Sequence, residues 1–219
     1  MGAGLGKRFG MRTRFGKPAT AFCIAVTLGA SSSAAADSKA EKRLAELIAM
    51  TPETFAFRTT LEDDDLEDVA VFSTRPAFSN AEGGDIFIRA FVDKAKGGTA
   101  YQLVFRSPSL RAAPRLYQMN MKGPDGLLTT KTVRIDGDVN CLRYGCYHTE
   151  LVGGDVEGEW LRWVAASYVP NTQNPVALRI KSMSGLDQDI NLLPAEAAGL
   201  LIRVDEYRAR KGLGTEKGS

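Results

Sequence analysis

Residues 85–106, DIFIRAFVDKAKGGTAYQLVFR, decide the fold of this chain. Apolar and polar side chains alternate from Asp85 to Val92 and again from Tyr101 to Arg106, the period of a strand that buries one face. Between them Gly97-Gly98 supplies a turn, with Gly98 available for a positive φ. The stretch predicts an antiparallel hairpin, and the same period continues on both sides of it. Thr54–Arg58 and Asp68–Ser73 alternate upstream. Downstream, Leu116–Met121 and Leu128–Ile135 flank a Gly123-Pro124-Asp125-Gly126 turn, and Val176–Ile180 and Ile190–Leu193 bracket Ser184-Gly185. Short strands that follow one another through turns point to antiparallel pairing and away from βαβ units.

Three stretches carry helical spacing instead. Ser38–Met50 places Leu44, Leu47 and Ile48 on one face behind a Ser38/Glu41 capping-box pair, and Thr51-Pro52 is expected to end it. Glu159–Tyr168 groups Trp160, Leu161, Trp163, Val164 and Ala165. Pro194 opens a final helix whose stripe is Ala197, Leu200, Leu201 and Val204, with Arg203, Glu206, Arg208 and Arg210 left to solvent and Gly212 as its end. The fold class expected is α+β: a predominantly antiparallel β-sheet or sandwich with flanking helices, including the amphipathic C-terminal helix. Residues 37–211 form a single globular α+β domain, and 212–219 a disordered tail.

Residues 1–36 read as a secretory signal peptide. Lys7, Arg8, Arg12, Arg14 and Lys17 form a basic leader with no acid, Ala19–Ala30 is its apolar run, and Ser33-Ala34-Ala35-Ala36 is a small-residue cleavage site before Asp37. The apolar run falls short of the roughly 20 residues that a spanning helix needs, so no transmembrane segment is expected in the mature chain. Cys23 follows Phe22 rather than a small residue, which argues against a lipid anchor. The chain is therefore placed in the periplasm or the medium. The leader holds five of the 28 basic residues and none of the 26 acidic ones, which leaves 23 against 26 and a net charge near −3. A mature chain of that charge lacks the bulk basic field that nucleic acid requires.

Reactive side chains concentrate in Asp136–Glu150, DGDVNCLRYGCYHTE. Cys141 and Cys146 are the cysteines that remain after cleavage, and export favours their oxidation. A four-residue hairpin loop would oppose them at a Cα separation of about 4.5–5.5 Å, within disulfide range. The same segment spells C-x4-C-x-H-x-E, in which residues 146, 148 and 150 of a strand share one face. A ligand or metal site would draw on His148 and Glu150 with Asp136 and Asp138 nearby. The cysteine spacing is wider than structural zinc sites use, so no metal is assigned. His148 is the single histidine, G-x-S-x-G is absent, and neither G-x-G-x-x-G nor a P-loop occurs, so no catalytic residue and no cofactor is assigned. The acidic run Glu62-Asp63-Asp64-Asp65 with Glu67 and Asp68 lacks the ligand order of a calcium loop and reads as a solvated turn. Trp160 and Trp163 read as sheet-packing residues rather than the wall of a groove.

These features predict a non-enzymatic exported binding or accessory protein that takes an unidentified protein or small-molecule ligand on a sheet face, edge or loop. The alternatives are a hydrolase or metal-dependent enzyme centred on His148 and Glu150, and a structural cell-envelope protein. Whether His148 meets carboxylates in a pocket or lies on a sheet surface separates the first two.

Overall fold

The hairpin of residues 85–106 forms, and around it two antiparallel sheets assemble. The computed structural model describes residues 46, 49–75, 85–110, 113–143, 145–172 and 174–214. The leader and nearly all of the helix expected over 38–50 lie outside the described residues. In chain order the elements are α1 (Pro52–Arg58), β1 (Thr60–Glu62), β2 (Val69–Ser73), β3 (Asp85–Asp93), β4 (Thr99–Ser109), β5 (Leu116–Gly123), β6 (Gly126–Lys131), β7 (Val133–Leu142), β8 (Gly145–Val156), α2 (Gly158–Ala166), β9 (Val176–Ser182), β10 (Gln188–Leu192) and α3 (Pro194–Lys211). A six-stranded sheet runs β1-β2-β3-β4-β8-β7, and a four-stranded sheet runs β10-β9-β5-β6. All of these elements lie in one compact unit, Glu41–Ser219.

Alternation in the strands builds the core directly. Ala70, Phe72, Ile86, Ile88, Ala90, Val92, Leu103, Phe105 and Val152 share one face of the large sheet through the registers Ala70↔Val92, Phe72↔Ala90, Ile88↔Leu103 and Phe105↔Val152. They join Met119, Met121, Leu178 and Ile180 of the small sheet in one cluster, to which α2 adds Trp160, Leu161 and Val164. The indole N–H of Trp160 donates to the Lys122 carbonyl at 2.8 Å, so its polar atom is satisfied as its ring is buried. Helix α3 contributes Ala197, Leu200, Val204 and Tyr207, the last edge-on to Phe72 at 5.3 Å. No helix among the described residues is long and apolar enough to cross a membrane.

Several local expectations are corrected. Residues 54–58 are helical, not extended. The Thr51 hydroxyl accepts from the Thr54 N–H and Pro52 takes the first turn, so Thr51-Pro52 starts a helix. Strand alternation would have put Phe55 and Phe57 together, whereas Phe55 is fully buried and Phe57 is 91% exposed. In the 85–106 hairpin, Gly97 rather than Gly98 takes the positive φ, at 70°. The Asp93 carboxylate accepts from the Ala95 and Lys96 amides (2.9 and 2.8 Å) and winds the turn so that the left-handed position falls at 97. The strand expected over 128–135 is two strands. Thr132 interrupts it, with its N–H and hydroxyl bound to the carbonyls of Tyr117 and Leu116, and the chain passes there from the small sheet to the large one.

The C-terminal helix keeps the expected bounds, but Leu201 is only half-buried and Arg208 is not solvated. Arg208 is 5% exposed and donates to the Thr99 hydroxyl (3.0 Å) and the Gly214 carbonyl (3.2 Å). Leu213, expected in the disordered tail, packs on the core. Residues 215–219 lie outside the described residues. The acidic run is not uniformly solvated either. Asp63 bridges Lys94 (2.8 Å) and Lys211 (3.1 Å), tying the β1–β2 connection to the end of α3. Hydrogen bonds from the two lysines hold its carboxyl at about 2.

Candidate ligand-binding face

The four residues singled out around the cysteines do not come together. In the β7–β8 ladder Val139 faces His148 and Gly137 faces Glu150, whereas Asp136 faces Leu151 and Asp138 faces Thr149. Because side chains alternate, His148 and Glu150 share one face of the sheet with Cys146, and Asp136 and Asp138 share the other. Glu150 is 7% exposed, and its carboxylate accepts from the Leu116 N–H at 3.3 Å. That interaction gives it a structural task at the start of β5. His148 is half-buried, and no group of three or more His, Cys, Asp or Glu placed to hold a metal occurs among the described residues.

Cys141 and Cys146 are paired as a disulfide. Leu142 pairs with Gly145, so the ladder continues one pair beyond the cysteines and the loop is shorter than the four residues expected. The cysteine Cα atoms lie 3.9 Å apart, which marks the close, non-hydrogen-bonded type of antiparallel pair. Counting by twos from Cys141, the N–H groups of Val139 and Gly137 then point away from β8, toward the open edge of the sheet. The Asp136 carboxylate accepts from the Gly137 N–H (2.7 Å) and the Asp138 carboxylate from the Val139 N–H (2.8 Å). Both aspartates thus occupy donors that an added strand would need. The ladder is also shifted between Arg134 and Asp136, a bulge that further spoils this edge for pairing.

The outward face of the small sheet is different. Its register aligns Thr129, Asn120, Arg179 and Asp189 in a row across all four strands. A second row holds Lys131, Gln118 and Lys181, with Asp187 at its end, and a third holds Leu127 and Lys122 on one side and Ala177 and Asn191 on the other. Asn120, Lys122, Arg179, Asp189 and Asn191 of these rows line an open concavity of about 490 Å³ together with the apolar Met121, Leu127, Ala177, Leu178 and Ile190. Arg179 grips Asp189 through two bonds (2.6 and 3.0 Å), which lowers the Asp189 carboxyl below its ordinary range. Lys181 pairs with Asp187 and lowers that carboxyl likewise. The Asn120 side-chain oxygen accepts from Gln118 (2.7 Å) and Thr129 (3.3 Å), which fixes the amide orientation. Lys122 and Lys131 make no ion pair among the described residues, so the β5–β6 half of the face is basic.

Sequence reading passed over this face because each member is simply the solvent side of an alternating strand. The signal that exists is compositional: the outward positions are Asn, Gln, Thr, Lys, Arg and Asp, with Leu127 the one large apolar side chain. Comparison with protein-family models, curated proteins and solved structures finds no match.

Proposed function

We propose that the chain is an exported, non-enzymatic binding protein that takes a hydroxyl- or amide-rich ligand on the outward face of its four-stranded sheet. The observation that carries this reading is the concavity of about 490 Å³, in which Asn120, Lys122, Arg179, Asp189 and Asn191 stand beside an equal number of apolar residues, Met121, Leu178 and Ile190 among them, a mixed lining that suits a ligand with both polar groups and apolar faces. Asn120 offers its amide N–H donors, since its oxygen already accepts twice, Asn191 offers a donor and an acceptor, Lys122 adds a cation, and the Arg179–Asp189 pair presents both signs of charge. The leader supports a periplasmic or secreted address, and the Cys141–Cys146 bond suits an oxidising compartment. A hydrolase or metal enzyme is less well supported, because Asp136 and Asp138 face away from His148 and are spent on edge amides.

Titration of isotope-labelled protein with neutral and acidic oligosaccharides tests the proposal. Saturable amide shifts should fall on β5, β6, β9 and β10 and disappear in Asn120→Ala with Asn191→Ala. Shifts centred on His148 and Glu150 would overturn it in favour of the enzyme.

A further inference from the structure

A second cavity opens where β6 passes over the end of β8 and the start of α2, and its chemistry differs from that of the polar face. It encloses about 180 Å³, the liquid volume of about six waters. Met121, Leu128 and Trp160 supply apolar walls, and Asp155 and Glu157 are its only charged lining residues among those described. Met121 and Trp160 belong to the core cluster, while Leu128 of β6, 39% exposed, completes the wall from the edge of the small sheet. Glu157 occupies the N-cap position of α2, where a side chain ordinarily bonds the first free amides, yet it makes no such bond. It makes no ion pair among the described residues, and it lines the cavity. Asp155 is held in place by a bond from the Gln102 amide at 3.2 Å.

We propose that this cavity binds an organic ammonium group. Two carboxylates, the charged groups of the lining, favour a positive charge, while the indole, thioether and leucine walls favour one that carries methyl or methylene groups. An inorganic cation would find too few oxygens and too much apolar wall. A free alkylamine and a lysine side chain share this chemistry, and the experiment separates them. The site adjoins the polar face through Met121 and Thr129, but its carboxylates, Asp155 and Glu157, belong to it alone.

The test follows the Trp160 indole N–H signal of the labelled chain during titration with tetramethylammonium chloride, with tert-butanol as the neutral counterpart. The expected result is a saturable shift with tetramethylammonium and a much weaker response to the alcohol. Asp155→Asn with Glu157→Gln should weaken binding about tenfold, as two part-exposed charge pairs allow, with an unchanged melting temperature. Displacement by acetyl-Gly-Lys-Gly-amide at lower concentration would mark a protein lysine as the ligand, and its failure to compete a free amine. The proposal is overturned by an absence of saturation, by an equal response to tert-butanol, or by undiminished binding in the double variant.

Discussion

Gly199→Ala puts the helix packing at the core of this fold to a direct test. On an isolated helix the change is favourable, since alanine in place of an interior glycine gains about 0.5–1 kcal/mol. Here α3 crosses α1 so closely that a Cβ at 199 would sit 2.5 Å from the Phe55 Cβ, 2.6 Å from the Pro52 carbonyl oxygen and 2.8 Å from the Ala56 N. Two of those three atoms are backbone, so no rotamer change relieves the contact and α1 must move outward. Overpacking of this kind costs about 1–3 kcal/mol, and displacement also loosens Phe55, which is fully buried. The clash outweighs the propensity gain, for a net loss of about 1–2 kcal/mol. In a domain of this size that lowers the melting temperature by about 2–8 °C. Thermal unfolding followed by circular dichroism measures it, with Ala209→Gly on the exposed side of α3 reporting propensity alone. A Gly199→Ala protein that melts at or above the parent would refute the argument.

Other consequences follow from particular contacts. Asp63 is held at about 2 in the folded chain, below the ordinary 3.8, so its contribution is present above about 3.8 and is lost as pH falls toward 2. Urea midpoints at pH 4 and pH 2 should differ less in Asp63→Asn than in the parent. Asp136→Ala with Asp138→Ala frees two edge amides and should promote self-association, visible by sedimentation velocity; a strictly monomeric variant would show that the bulge alone protects the edge. Removing residues 215–219 should leave the melting temperature unchanged. Removing 212–219 should lower it, because Leu213 and the Gly214 carbonyl are then lost to the core and to Arg208. Exported protein should begin at Asp37 by intact mass and resist thiol alkylation until reduced.

Strand periodicity in 85–106, 116–121 and 176–193, the amphipathic stripe of α3 and the pairing of the two cysteines were all legible along the chain. Each is a local pattern: alternation places a side chain on one face of its own strand, helical spacing builds one stripe, and a short loop brings two cysteines opposite. Residues 54–58 misled because a five-residue apolar pattern fits either period, and the Thr51 cap with Pro52 decided for helix. What no local pattern holds is which strands become neighbours and which face meets which. The break at Thr132 sends one apparent strand into two sheets, and the opposite facing of His148 and Asp138 depends on register across β7 and β8. The polar row Thr129–Asn120–Arg179–Asp189 draws its members from four strands up to 69 positions apart, so only the folded sheet could assemble it.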